Sequence, residues 1–101
     1  MGDRISISFY KKNEGESVAL FSHWGGRTLL NQALKYLKDL KKSDIPTDVL
    51  EPSVVMVDFI REITKNDEPL HIDLYLGKDG NDGDNSDNGH FPIDVETEEL
   101  L

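Results

Sequence analysis

Apolar and polar positions alternate from the start of the chain. Between Arg4 and Tyr10, Ile5, Ile7 and Phe9 are separated by Ser6 and Ser8, the period of a half-buried strand. Lys11 to Glu16 is a polar turn. Ser17 to Trp24 then reads as a second strand ended by Gly25-Gly26, and the two strands are expected to form an antiparallel hairpin. Over residues 28–42 the period becomes helical. Leu30, Ala33, Leu34 and Leu37 form a stripe widened by Leu29, Tyr36 and Leu40, with Thr28 as the expected N-cap. Pro46 biases Ile45 away from helical torsions. Asp48 to Glu51 has capping-box spacing, with Pro52 in the first turn. Val55, Met56, Phe59, Ile60 and Ile63 supply the buried face of a second helix to about Lys65, before the stop signals Asn66 and Pro69.

Leu70 to Gly77 alternates again, with Leu70, Ile72, Leu74 and Leu76 on one face and His71, Asp73 and Tyr75 on the other. After a polar interval, His90 to Glu96 alternates too, with Phe91, Ile93 and Val95 together. Pro92 suits an edge strand, and residues 97–101 are expected to fray. The order β-β-α-α-β-β predicts an α+β domain: a four-stranded antiparallel sheet with two helices on one face. The opposite face, carrying Tyr10, Phe21, His23, His71 and Tyr75, is then either an interface or simply wet.

Composition narrows the function classes. The 101 residues fit one domain, spanning 1–101, and contain no cysteine, so a disulfide framework, a thiolate metal site and a cysteine nucleophile are excluded. No apolar run is longer than that from Val54 to Val57, too short for a bilayer. Without a basic-then-apolar leader, a soluble cytoplasmic protein is expected. The net charge is −9, and it is unevenly spread. Residues 1–78 hold eleven basic and twelve acidic residues, whereas residues 79–101 hold eight acidic and no basic ones. Nucleic acid and anionic membrane are poor partners for such a chain. Cations, basic protein surfaces or a second copy in a homodimer are the partners to consider.

The acidic excess centres on residues 79–89, which contain four Asp, three Asn, three Gly and one Ser. Calcium takes roughly six to eight oxygen ligands from such side chains. Asp79, Asp82, Asp84 and Asp87 are the candidate carboxylate ligands, with Asn81 and Asn85 as auxiliary oxygens. The spacing is not that of a helix–loop–helix calcium site. Counted from Asp82, Asp87 replaces the required Gly and Ile93 replaces the bidentate Glu. The same composition describes a solvated flexible hairpin loop or an acidic docking loop.

Other constellations carry less. His23 to Thr28 bridges a strand and a helix, and its glycines could offer N–H groups to an anion beside Arg27. It is no phosphate loop, because Phe21 stands where that motif needs Gly and its Lys is absent. His23, His71 and His90 lack local metal-ligand spacing. Ser22 and His23 point to opposite faces of a strand, and no Gly-x-Ser-x-Gly elbow occurs, so no enzyme is expected. Asp3 to Phe9, followed by Phe21 to Gly26 and a helix, resembles small uncharacterised proteins of archaea and their viruses over roughly the first forty residues. That resemblance implies no activity or site residues. The element order is similar to one layer pair of the N-terminal nucleophile hydrolase sandwich. The chemistry of that fold needs a processed Thr, Ser or Cys at the mature N-terminus, and Met1-Gly2-Asp3 offers none.

Overall fold

A computed structural model describes residues 2–66 and 72–101. The elements are β1 (Ile5–Lys11), β2 (Gly15–Glu16), β3 (Ala19–Ser22), α1 (Arg27–Lys42), α2 (Pro52–Thr64), β4 (Leu74–Gly77), β5 (His90–Asp94) and β6 (Glu99–Leu100). Leu70 and His71, placed by periodicity on the strand ending at Gly77, lie outside the described residues. No helix of the described residues is long and apolar enough to cross a membrane.

The α+β class holds, with a different sheet. Among the described residues it has six strands in the order β4-β3-β1-β5-β6, with β2 pairing β1. β1 and β3 form the expected antiparallel pair, with Ile7 opposite Leu20. β5, however, lies parallel to β1, with Ile7 beside Phe91 and Phe9 beside Ile93. The expected hairpin between the last two long strands is therefore corrected. β4 pairs β3 antiparallel and so runs in the same direction as β1 and β5. A link between parallel strands needs a crossover of about a dozen residues, and residues 78–89 supply it. Glu99–Leu100 adds to β5 as a short antiparallel strand.

The hairpin contains a second departure from plain alternation. Opposite β1, the pairs change from Ile7–Leu20 to Tyr10–Glu16, so three residues of the returning strand face two of β1. This is a β-bulge at residues 17–19. The Ser17 hydroxyl accepts the Phe9 N–H at 3.0 Å, and the Phe9 carbonyl accepts the Ser17 N–H at 2.8 Å. The extra residue reverses the strand's parity and puts Glu16 on the face opposite Leu20.

Both helices cover the face bearing Ile5, Ile7, Phe9, Leu20 and Ile93. Leu29, Leu30, Ala33 and Leu37 of α1 and Val55, Met56 and Phe59 of α2 join those residues in one core. α1 begins one residue before the expected cap, with Gly26 as N-cap at φ 54°. Its Cβ would lie 2.0 Å from the Asp3 carboxylate, so only glycine fits. The box at Asp48–Glu51 does not cap α2. Thr47–Val49 form a separate 3₁₀ turn, and Glu51 precedes Pro52 at the first helical position.

Phe9 meets Phe59 edge-on at 5.6 Å and Tyr36 at 6.4 Å, tying β1 to both helices. The Tyr36 hydroxyl donates to Asp58 Oδ2 at 2.6 Å. Burial, and then that bond, push the Tyr36 hydroxyl above its ordinary range. The folded state thus holds this proton more tightly than the unfolded chain. Its stabilisation is complete below about pH 10 and declines as pH rises further. Urea titrations from pH 8 to 11 should show this decline in the wild type and a flatter profile for Tyr36→Phe.

Candidate functional site

The outer face of the sheet, opposite the helices, carries Ser6 and Ser8 of β1, Phe21 of β3, Tyr75 of β4 and His90 of β5. The sequence expectation leaves this face open at Phe21. Instead Phe21, Ser6 and Ser8 are each 0 % exposed: the loop sets Gly83 on Phe21 and Asn85 on Ser6, while Glu16 and His90 meet Ser8. The Phe21 and Tyr75 rings stack at 5.0 Å, and a Cβ on Gly83 would come within 2.9 Å of both. Glycine lets the loop backbone settle directly on the two rings. The Asp84 N–H donates to the Tyr75 hydroxyl at 3.0 Å, and the Ser6 N–H donates to the Gly89 carbonyl at 3.1 Å.

Beneath this cover lies a polar relay. Asn85 Nδ2 donates to the Gly80 carbonyl and to Ser6 Oγ, each at 2.8 Å. A carbonyl only accepts, so the amide orientation is fixed. Ser6 Oγ lies 2.7 Å from His90 Nδ1 and donates to it when the imidazole is neutral. In the neutral imidazole Nε2 carries the hydrogen and donates to Glu16 Oε2 at 2.7 Å. Ser8 donates to the same carboxylate oxygen. Glu16 reaches this position through the bulge.

Hydroxyl, imidazole and carboxylate stand here in the order used by serine hydrolases. A nucleophile must meet its substrate, however, and Ser6 is wholly buried while accepting from Asn85. The arrangement works as a clasp between loop and sheet.

The candidate metal ligands fall into two groups. Asp79, Asn81 and Asn85 line one open cleft of ≈ 450 Å³ with Glu16, Gly80 and His90. Asp82, Asp84 and Asp87 are engaged elsewhere. Asp82 accepts the Lys78 N–H at 2.7 Å; Asp84 pairs with Arg4 Nε at 3.1 Å; Asp87 accepts the Arg4 N–H at 2.9 Å. Asp84 also accepts the Ser86 N–H at 3.0 Å. Hydrogen bonds from Ser86, joined by the Arg4 charge, hold its carboxyl below the usual range. Among the described residues no three His, Asp or Glu side chains converge as a metal site.

The glycine turn before α1 is likewise occupied internally. Gly25 N–H donates to Ser22 Oγ at 2.7 Å and Gly26 N–H to the Asp3 carbonyl at 2.9 Å. Asp73 accepts from Ser22 Oγ at 2.6 Å and from the Trp24 N–H at 2.8 Å, joining this turn to the start of β4. The Trp24 side chain stays 55 % exposed. It lines a second open cleft, ≈ 380 Å³, with Gly2, Arg4, His23 and Ile72.

Glu16, Ser6 and Ser8 are missed by motif reading because no local spacing links them to His90. One signal was present: the polar positions between Ile5, Ile7 and Phe9 are small uncharged serines, which suit a strand covered on both sides.

No family model, curated protein or solved structure matches the chain.

Replacing Asn85 with Ala leaves Ser6 Oγ and the Gly80 carbonyl without that donor. The expected loss is about 1–3 kcal/mol of unfolding free energy, with faster amide exchange at Ser6 and Gly89. Equilibrium denaturation and hydrogen exchange check both.

Proposed function

We propose that this protein works by binding another polypeptide, without chemistry of its own, along the side of the sheet bordered by β4. One observation carries the reading. Trp24 at 55 %, Ile72 at 70 % and Leu76 at 57 % leave large apolar side chains in water on or beside that border. Exposed apolar surface of this kind marks contact sites, and Trp and Arg are the residue types that most often anchor them. Arg4 and His23 supply polar groups beside Trp24. The outer face, expected to be either an interface or simply wet, is covered by the acidic loop at Phe21 and Ser6, so the border is the better candidate.

Trp24→Ser and Leu76→Ser should leave stability within about 0.5 kcal/mol, as exposed substitutions do. Each should weaken a partner captured by the wild-type protein at least about tenfold. Val57→Ser, at an exposed α2 position, is the control and should retain the partner. Retention by all three variants, or equal loss with Val57→Ser, removes the reading.

A second reading keeps the loop as a divalent-cation site. Its support is the shared cleft that gathers Asp79, Asn81 and Asn85 with Glu16 and His90. Calcium titration followed by amide NMR should then give saturating shifts centred on residues 79–85, at micromolar to low-millimolar metal. Linear shifts, equal for magnesium and abolished by modest salt, mean screening only.

A further inference from the structure

We infer that β4 is completed by an extended basic segment of a partner protein, which joins the sheet as one more strand. The inference rests on the interaction reading above and specifies its mode and partner chemistry. β4 pairs with β3 through Ala19–Gly77, Leu20–Leu76, Phe21–Tyr75 and Ser22–Leu74. The His23 N–H donates to the Asp73 carbonyl at 3.1 Å, which fixes the phase of the antiparallel ladder. In such a ladder alternate residues turn their backbone groups toward the neighbour. Asp73, Tyr75 and Gly77 therefore face β3, and Leu74 and Leu76 turn their N–H and C=O groups outward.

Among the described residues no strand pairs with that outward row. It ends at Lys78, whose N–H is taken by Asp82 Oδ2 at 2.7 Å. Open edges are commonly blunted by proline, inward charges or a covering element. Leu74 to Gly77 contains neither proline nor a charged side chain, and Leu76 stands exposed on it. An added strand would pair the four outward groups of Leu74 and Leu76 and cover the Leu76 side chain.

Charge selects the occupant. Next to β4 in the chain stand Asp73, Asp79 and Asp82 against the single basic Lys78, whereas Asp84 and Asp87 are paired with Arg4. A strand rich in Lys or Arg is attracted to this border, whereas a second copy of a chain with net charge −9 is repelled.

The test uses a capped octapeptide of alternating valine and lysine, a matched peptide with glutamate replacing lysine, and amide hydrogen exchange on the full chain. Strand addition slows exchange at Leu74 and Leu76 at least about tenfold, with little change at Tyr75 and Gly77, which already bond β3. The glutamate peptide gives no protection. Leu76→Pro removes one outward N–H without breaking a bond to β3 and should abolish the effect; Leu76→Lys should weaken lysine-peptide binding by adding a like charge. Shifts at Trp24 and Leu76 side chains without amide protection overturn strand addition and leave the interaction reading standing. Absence of binding, or equal binding of both peptides, overturns the basic segment. Protection that grows with protein concentration alone assigns the edge to a second copy and also overturns it.

Discussion

Burial of β1 on both faces is the constraint from which the rest of this structure follows. Its apolar positions lie under two helices, a common solution for a short α+β domain. Ser6 lies under a segment with no helix or strand of its own, and Ser8 under the side chains of Glu16 and His90. A buried hydroxyl left without a partner costs about 1–3 kcal/mol, so the cover must bring hydrogen-bonding groups as well as bulk. Asn85, His90 and Glu16 provide them, each from a different part of the chain. The parallel pairing of β5 with β1 belongs to the same solution, because a crossover on the free face both reverses the chain and covers Ser6.

The acidic residues of the crossover have a role before any ligand is considered. A loop without regular structure must find acceptors for its own N–H groups, and short carboxylates do this well. Asp79 takes the Asn81 N–H at 2.9 Å, Asp82 that of Lys78 and Asp84 that of Ser86. Arg4 answers part of the accumulated charge through Asp84 and Asp87. The composition that resembles a cation-binding loop is thus also what an ordered irregular crossover requires. This dual use is why all four candidate aspartates accept from backbone or guanidinium partners.

The local periodicities were legible where one partner surface dominates. The stripe from Leu29 to Leu37 and the run from Val55 to Phe59 gave both helices, and Ile5, Ile7 and Phe9 gave the inner face of β1. Pairing direction was not legible, since alternation at Ile93 and Val95 is the same in a parallel and an antiparallel ladder. Nor was the bulge, which depends on Ser17 holding the Phe9 backbone rather than on any apolar pattern. The site inherits both omissions. Asp79, Asn81 and Asn85 were found by composition, while Glu16 and the serines that meet His90 emerge only once parity and strand order are set.

The bulge at residues 17–19 gives chain length a chemical meaning in this hairpin. In an ordinary surface turn, gaining or losing one residue alters reach and little else. Here the same change would exchange the inside and outside of everything between the bulge and the turn. A carboxylate now serving a hydroxyl and an imidazole would be aimed into hydrocarbon, and Val18 would trade environments with its neighbours. A single-codon indel at this point acts as an inversion of polarity, so this short stretch tolerates change of letter far better than change of count.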